Sequence, residues 1–89
     1  MATKAVAIDH EHVLQILQQA RKQLERAEGE LVLDFSAVRR IDAQALEAME
    51  SLAGAAQEKS VKLVLRGVSV DVYKVLKLMR LAPRFGFVN

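Results

Sequence analysis

The feature that most constrains this chain is a repeated change of hydrophobic period. Apolar runs too short for a helix alternate with longer stretches whose apolar residues recur at three- and four-residue steps. Residues 4 to 8 (Lys-Ala-Val-Ala-Ile) form the first run and meet Asp9 at once, which is expected to cap a helix. From Val13 the apolar positions Ile16, Leu17, Ala20, Leu24 and Ala27 fall on one helical face, opposite polar Gln15, Gln18, Arg21, Lys22 and Glu25. Gly29 ends that pattern. Leu31-Val32-Leu33 with Phe35 lacks helical period and reads as a buried strand, with Asp34 near its end. Asp42 is expected to cap a second helix with an inward stripe of Ala45, Leu46, Met49, Leu52, Ala53 and Ala56. Val61, Leu63, Val64 and Leu65 make a third strand, closed by Arg66-Gly67. Ser69 then opens a third helix with Val72, Val75, Leu76, Met79 and also Leu78 facing inward. Pro83 blocks its continuation, and Phe85-Gly86-Phe87-Val88 forms a last short strand.

Strands and helices in strict alternation, linked by right-handed crossovers, predict an α/β fold: a small, mostly parallel sheet of about four strands with three helices. At 89 residues the chain holds one core, so residues 1–89 are expected to form a single domain. The hydrophobic share of 52% is supplied mainly by Ala, Val, Leu and Ile, with three Phe, one Tyr and no Trp. The core is therefore expected to be aliphatic, and the few aromatics argue against a platform for stacking nucleobases. Without Cys there is neither a disulfide nor a thiolate ligand, and no uncharged run reaches the roughly 18 residues of a membrane span. The N-terminus has no adequate secretory core, so a cytoplasmic location is expected.

Charge is uneven. Residues 1–58 carry six Lys/Arg against ten Asp/Glu, whereas residues 59–89 carry seven against Asp71 alone. Lys59, Lys62, Arg66, Lys74, Lys77, Arg80 and Arg84 would have to support any nucleic-acid role, but no binding motif accompanies them, and none is expected. His10 and His12 alternate with Asp9 and Glu11; on a helix, side chains two apart diverge, so no metal site is expected. The four glycines stand singly, leaving no phosphate loop, and no nucleophile–base spacing is present. No catalytic activity and no cofactor are expected.

Residues 31–46, Leu-Val-Leu-Asp-Phe-Ser-Ala-Val-Arg-Arg-Ile-Asp-Ala-Gln-Ala-Leu, resemble the central segment of STAS domains, found in bacterial anti-sigma-factor antagonists and sulfate-transporter tails. That family typically has a strand ending in an acidic residue, a turn, an apolar residue and then Asp-Ser-Ser-Gly-Leu opening a helix. Residues 62–67, 68–81 and 85–88 resemble the family's following strand, helix and closing strand, and the N-terminus is shorter by one strand than the usual layout. The resemblance matches Asp34 to the acidic residue and Asp42 to the motif aspartate. Ala43 and Gln44 stand where two hydroxyl residues are common, the second being the kinase target in sporulation and stress-response antagonists; Ala45 replaces the glycine. A phosphate at a helix start adds nearly two negative charges to a docking surface. Gln44 cannot receive one.

The resemblance thus implies a non-catalytic interaction domain without the usual switch, docking through Arg39, Arg40, Asp42, Gln44 and Glu47. Its implied partner is an anti-sigma factor or serine kinase. The alternative is the ATPase subunit of an ABC-type lipid transport system, to which this chain would be an accessory STAS subunit. A third reading is a homodimer formed by pairing the strand ends near Val6 or Val88.

Overall fold

A computed structural model describes residues 4–88. Residues 1–3 and 89, which the expected 1–89 domain includes, lie outside it. The elements are β1 (Lys4–Ala7), α1 (Val13–Leu24), β2 (Glu30–Asp34), α2 (Ala43–Glu58), β3 (Lys62–Arg66), α3 (Val70–Leu78), a 3-10 turn at Ala82–Arg84 and β4 (Gly86–Val88). The four strands lie in the order β1-β2-β3-β4. Every pair is parallel, with Val6 opposite Leu33, Leu33 opposite Leu65 and Leu65 opposite Phe87. The described strands thus form the expected small sheet of four, paired in parallel throughout.

Sequential order and right-handed crossovers put all three helices on one face of the sheet. Burial agrees: Leu31, Leu33, Leu63 and Leu65 join one core with Leu17, Ala20 and Leu24 of α1, Met49 and Leu52 of α2, and Val72 and Leu76 of α3. Val32 and Val64, which alternate with those leucines, are buried but lie outside that cluster, as the period of two along a strand requires.

The helix ends explain where sequence and structure part. Asp9 does not cap α1 directly. Its carboxylate accepts the Glu11 N–H at 3.0 Å and its carbonyl accepts the His12 N–H at 3.0 Å, so it opens a turn, and His12 takes the cap position without a side-chain bond to the first turn of the helix. At the far end α1 stops at Leu24, not Ala27, because Glu25, Arg26 and Ala27 donate to carbonyls three residues back and tighten the last turn. Met79 and Leu78 are the larger correction. Both were expected to face inward, yet they are 56% and 81% exposed, because α3 is only nine residues long and Val72 and Leu76 are its buried pair.

α2 and α3 end alike. Val61 N–H reaches Ala56 O at 2.9 Å and Leu81 N–H reaches Leu76 O at 2.8 Å, the six-to-one bond of a Schellman ending, with buried Val61 and Leu81 just beyond. Ser60 and Arg80 therefore sit at φ 58° and 61°, where glycine is favoured. Gly67 also has a positive φ, 70°, and a Cβ there would lie 3.2 Å from the Ser36 Cα.

At the carboxyl end of β2, Asp34 accepts from Ser36 N–H at 2.9 Å, from the Ser36 hydroxyl, and from Arg66 Nη2 at 3.1 Å. These contacts tie β2 to the end of β3. The Ser36 hydroxyl and backbone N–H, and then Arg66, hold the Asp34 carboxyl below the usual carboxylate range.

Ser60→Gly should stabilise the fold by about 0.5–1 kcal/mol, the left-handed strain relieved less the entropy glycine loses, whereas Gly67→Ala should cost about 1–2 kcal/mol or more. Denaturant titration reads both, and a destabilised Ser60→Gly would contradict the first. Because the folded Asp34 pKa is depressed, its contribution is complete above the unfolded value near about pH 4 and is lost as pH falls through the folded one. Asp34→Asn should thus lower the melting temperature at pH 7 and flatten its decline on acidification; an unchanged acid limb would show that these contacts carry nothing.

Candidate partner-docking site

In a parallel sheet whose crossovers all return on one side, the three helix N-termini gather at the carboxyl ends of the strands. That edge is where open α/β sheets present their binding residues. The segment from Ser36 to Asp42 crosses it between β2 and α2, and its shape follows from side-chain bonds. Ser36 is held by Asp34, Val38 N–H donates to Phe35 O at 2.9 Å, and buried Val38 pins the loop to the core. Arg39 and Arg40 are left exposed.

Asp42 is the N-cap of α2, as its position in the sequence predicts. Its backbone is extended (φ −96°, ψ −179°), and Oδ1 accepts the Ala45 N–H at 2.8 Å. The carboxylate thereby occupies a donor that a bound anion would otherwise use. Ala43 and Gln44 follow on the first turn with both side chains exposed, while Ala45 is buried against the core. Gln44 is at the surface.

The five sequence-derived residues are all exposed, but they face three directions. Arg39 borders α3: the Ser69 hydroxyl, which caps α3 by accepting the Val72 N–H at 3.1 Å, donates to the Arg39 carbonyl at 3.1 Å. Arg40 and Asp42 line a cleft of about 320 Å³ shared with His10, Glu11 and His12 before α1. Gln44, Glu47 and Ser51 of α2 line a groove of about 400 Å³ between α1 and α2, with Leu14, Gln18 and Arg21 of α1 across it. Arg21 Nη1 donates to the Ser51 hydroxyl over that groove.

The α1 side of this surface was absent from the sequence-derived set. Gln18 and Arg21 lie more than twenty positions before Gln44, and only their place on the polar face of α1 marked them. His10 and His12 lie in the turn before α1, not on a helix, with Nδ1 of each 3.7 and 3.1 Å from the Asp9 carboxylate. Among the described residues no group of three His, Asp or Glu side chains is placed to hold a metal ion. No helix of the described residues is long and apolar enough to cross a membrane. The surface carries hydrogen-bond donors, acceptors and charges of both signs around the α2 start.

No functionally curated protein matches this sequence. The solved structure of a Thermotoga maritima protein assigned as an anti-sigma factor antagonist superposes with a TM-score of 0.74 at 19% identity, covering 100% of this chain and 75% of that one. At that identity the likeness speaks for the fold. The family model described as "Mlab, STAS domain" matches residues 5–85, which take in all three helices, β2, β3 and all but the first residue of β1. On that match, with the four-stranded parallel sheet and the Asp42-capped helix beside it, the chain belongs to the STAS domain family.

Proposed function

We propose that this chain is a non-catalytic STAS regulator of the anti-sigma-factor-antagonist kind, acting in the cytoplasm. It grips a protein partner through the opening of α2, and the phosphate-dependent release typical of such antagonists is absent. The observation that carries the reading is Gln44, exposed on the first turn of a helix whose cap is the motif aspartate, with Glu47 beside it in the α1–α2 groove and exposed Arg39 and Arg40 on the loop that leads to the cap. The likeness to a solved protein assigned as an anti-sigma factor antagonist supports the partner class. That class is an anti-sigma factor or its serine kinase.

The physical basis is local. A partner that packs on the first turn of α2 meets free backbone donors, one carboxylate and an amide whose charge never changes. A hydroxyl there would let a kinase insert charge into the packed surface and eject the partner. With glutamine the contact has one state, so its occupancy follows partner concentration and affinity alone.

The test is binding of purified anti-sigma kinase from the same genome, measured by calorimetry with the native chain and with Gln44→Glu, Arg40→Ala and Asp42→Ser. Gln44→Glu puts charge on the first turn, where it favours the helix, so weaker binding cannot be ascribed to unfolding. Affinity should fall about tenfold or more for Gln44→Glu and for Arg40→Ala. Asp42→Ser keeps an acceptor for Ala45 N–H, so it should bind less tightly with nearly native stability. Unchanged affinity in all three would remove the α2 start from the interface. Binding to a transporter ATPase in place of the kinase would assign the same surface to transport.

A further inference from the structure

α3 presents a face that the fold does not use. Of its nine residues only Val72 and Leu76 are buried. Val70 and Leu78, 69% and 81% exposed, stand eight positions apart with exposed Lys74 midway. Positions i, i+4 and i+8 form one ridge on a helix, so these three side chains line up as apolar, cation, apolar. Exposed Lys77 and Arg80 continue the positive charge beside it, and Tyr73 flanks the ridge where it meets Phe87 edge-on at 5.2 Å between ring centres. Asp71 is the sole acid in residues 59–89. Scattered exposed apolar residues need no explanation, but two aligned around a cation make a pattern with a definable complement.

Resting on the docking role proposed above, we infer that the Val70–Lys74–Leu78 ridge of α3 is a second contact surface. It receives an amphipathic helix of a partner protein on which a carboxylate is flanked by apolar residues at the same four-residue spacing. Ridge-in-groove packing sets apolar residues beside Val70 and Leu78, and the carboxylate meets the Lys74 ammonium. A lipid surface fits less well. Helices that lie on membranes keep their cations at the flanks of the apolar face, whereas here sinking Val70 and Leu78 sets Lys74 at the centre of the buried stripe, from which its stem must bend back to keep the ammonium in water. The ridge also continues the surface at the α2 start, because Ser69, immediately before Val70, is bonded to the Arg39 carbonyl. One partner can therefore reach both.

The inference is tested with the full chain and two synthetic helical peptides that differ only at the central position of a Leu-x-x-x-Glu-x-x-x-Leu unit, Glu in one and Lys in the other. Binding is followed by fluorescence anisotropy at low and high salt. Vesicles of phosphatidylglycerol and phosphatidylcholine serve as the lipid probe, by co-sedimentation. The Glu peptide should bind more tightly than the Lys peptide and weaken with salt. Lys74→Glu should lower its affinity about tenfold or more and reverse the preference. Leu78→Ala should weaken both peptides, while Gln44→Glu should change neither. The substituted side chains are exposed, and circular dichroism checks that the fold persists.

Equal binding of the two peptides, binding of neither, or recruitment to vesicles without peptide binding would overturn the inference. The kinase measurement separates this from the function itself. If Lys74→Glu and Leu78→Ala bind the kinase natively while Gln44→Glu does not, the ridge fails and the α2 reading stands. The reverse pattern sinks the α2 reading alone.

Discussion

Parallel pairing is the constraint on which the rest of the molecule depends. Each strand must be followed by a return path as long as the sheet, and in this chain every return is a helix on the same face. Three consequences come together. One aliphatic core forms between the helices and the leucines of β2 and β3, the three helix starts collect at one end, and the loops there carry exposed polar residues. The surface proposed for docking is a by-product of connectivity, and its position needs no special sequence beyond the caps that start the helices.

Two short-range devices make that edge definite. Asp34 binds Ser36 and Arg66, which fixes the exit of β2 against the end of β3. Asp42 and Ser69 start α2 and α3, and Ser69 at the same time holds the Arg39 carbonyl. The loop from Ser36 to Asp42 is thus fastened at both ends and in the middle by buried Val38. The turn beside Gln44 is thereby pre-organised, and the docking proposed there carries a lower ordering cost. The same fastening places the start of α3 beside that turn.

Much of the fold was legible because burial and period coincide. The leucines of β2 and β3, the stripe of α2 and the caps at Asp42 and Ser69 were all readable, since each is a local choice that the global fold repeats. Where the reading slipped, a local signal competed with a tertiary one. Asp9 looks like a cap because it follows a strand, but the chain needs a further turn before α1 can lie on the sheet. Leu78 continues an apolar pattern but lies two residues from buried Leu76, on the opposite side of α3, and Met79 follows the helix where Arg80 turns left-handed and Leu81 folds back on Leu76. Of the candidate site, the exposure of Arg39, Arg40, Asp42, Gln44 and Glu47 was legible. Their division among three neighbouring surfaces was not, because Ser69, His12 and Arg21 arrive there from distant parts of the chain.

By itself, then, the sequence determined the alternation of elements, the capped start of α2 and the amide at residue 44, since period, cap chemistry and residue identity act within a few positions of the chain. Tertiary structure alone decided that every helix lies on one face, that α1 borders Gln44 and Glu47, and that Val70, Lys74 and Leu78 stand in the open. These outcomes depend on which surfaces are covered once strands pair across more than twenty residues of sequence, and no local pattern encodes what is left uncovered.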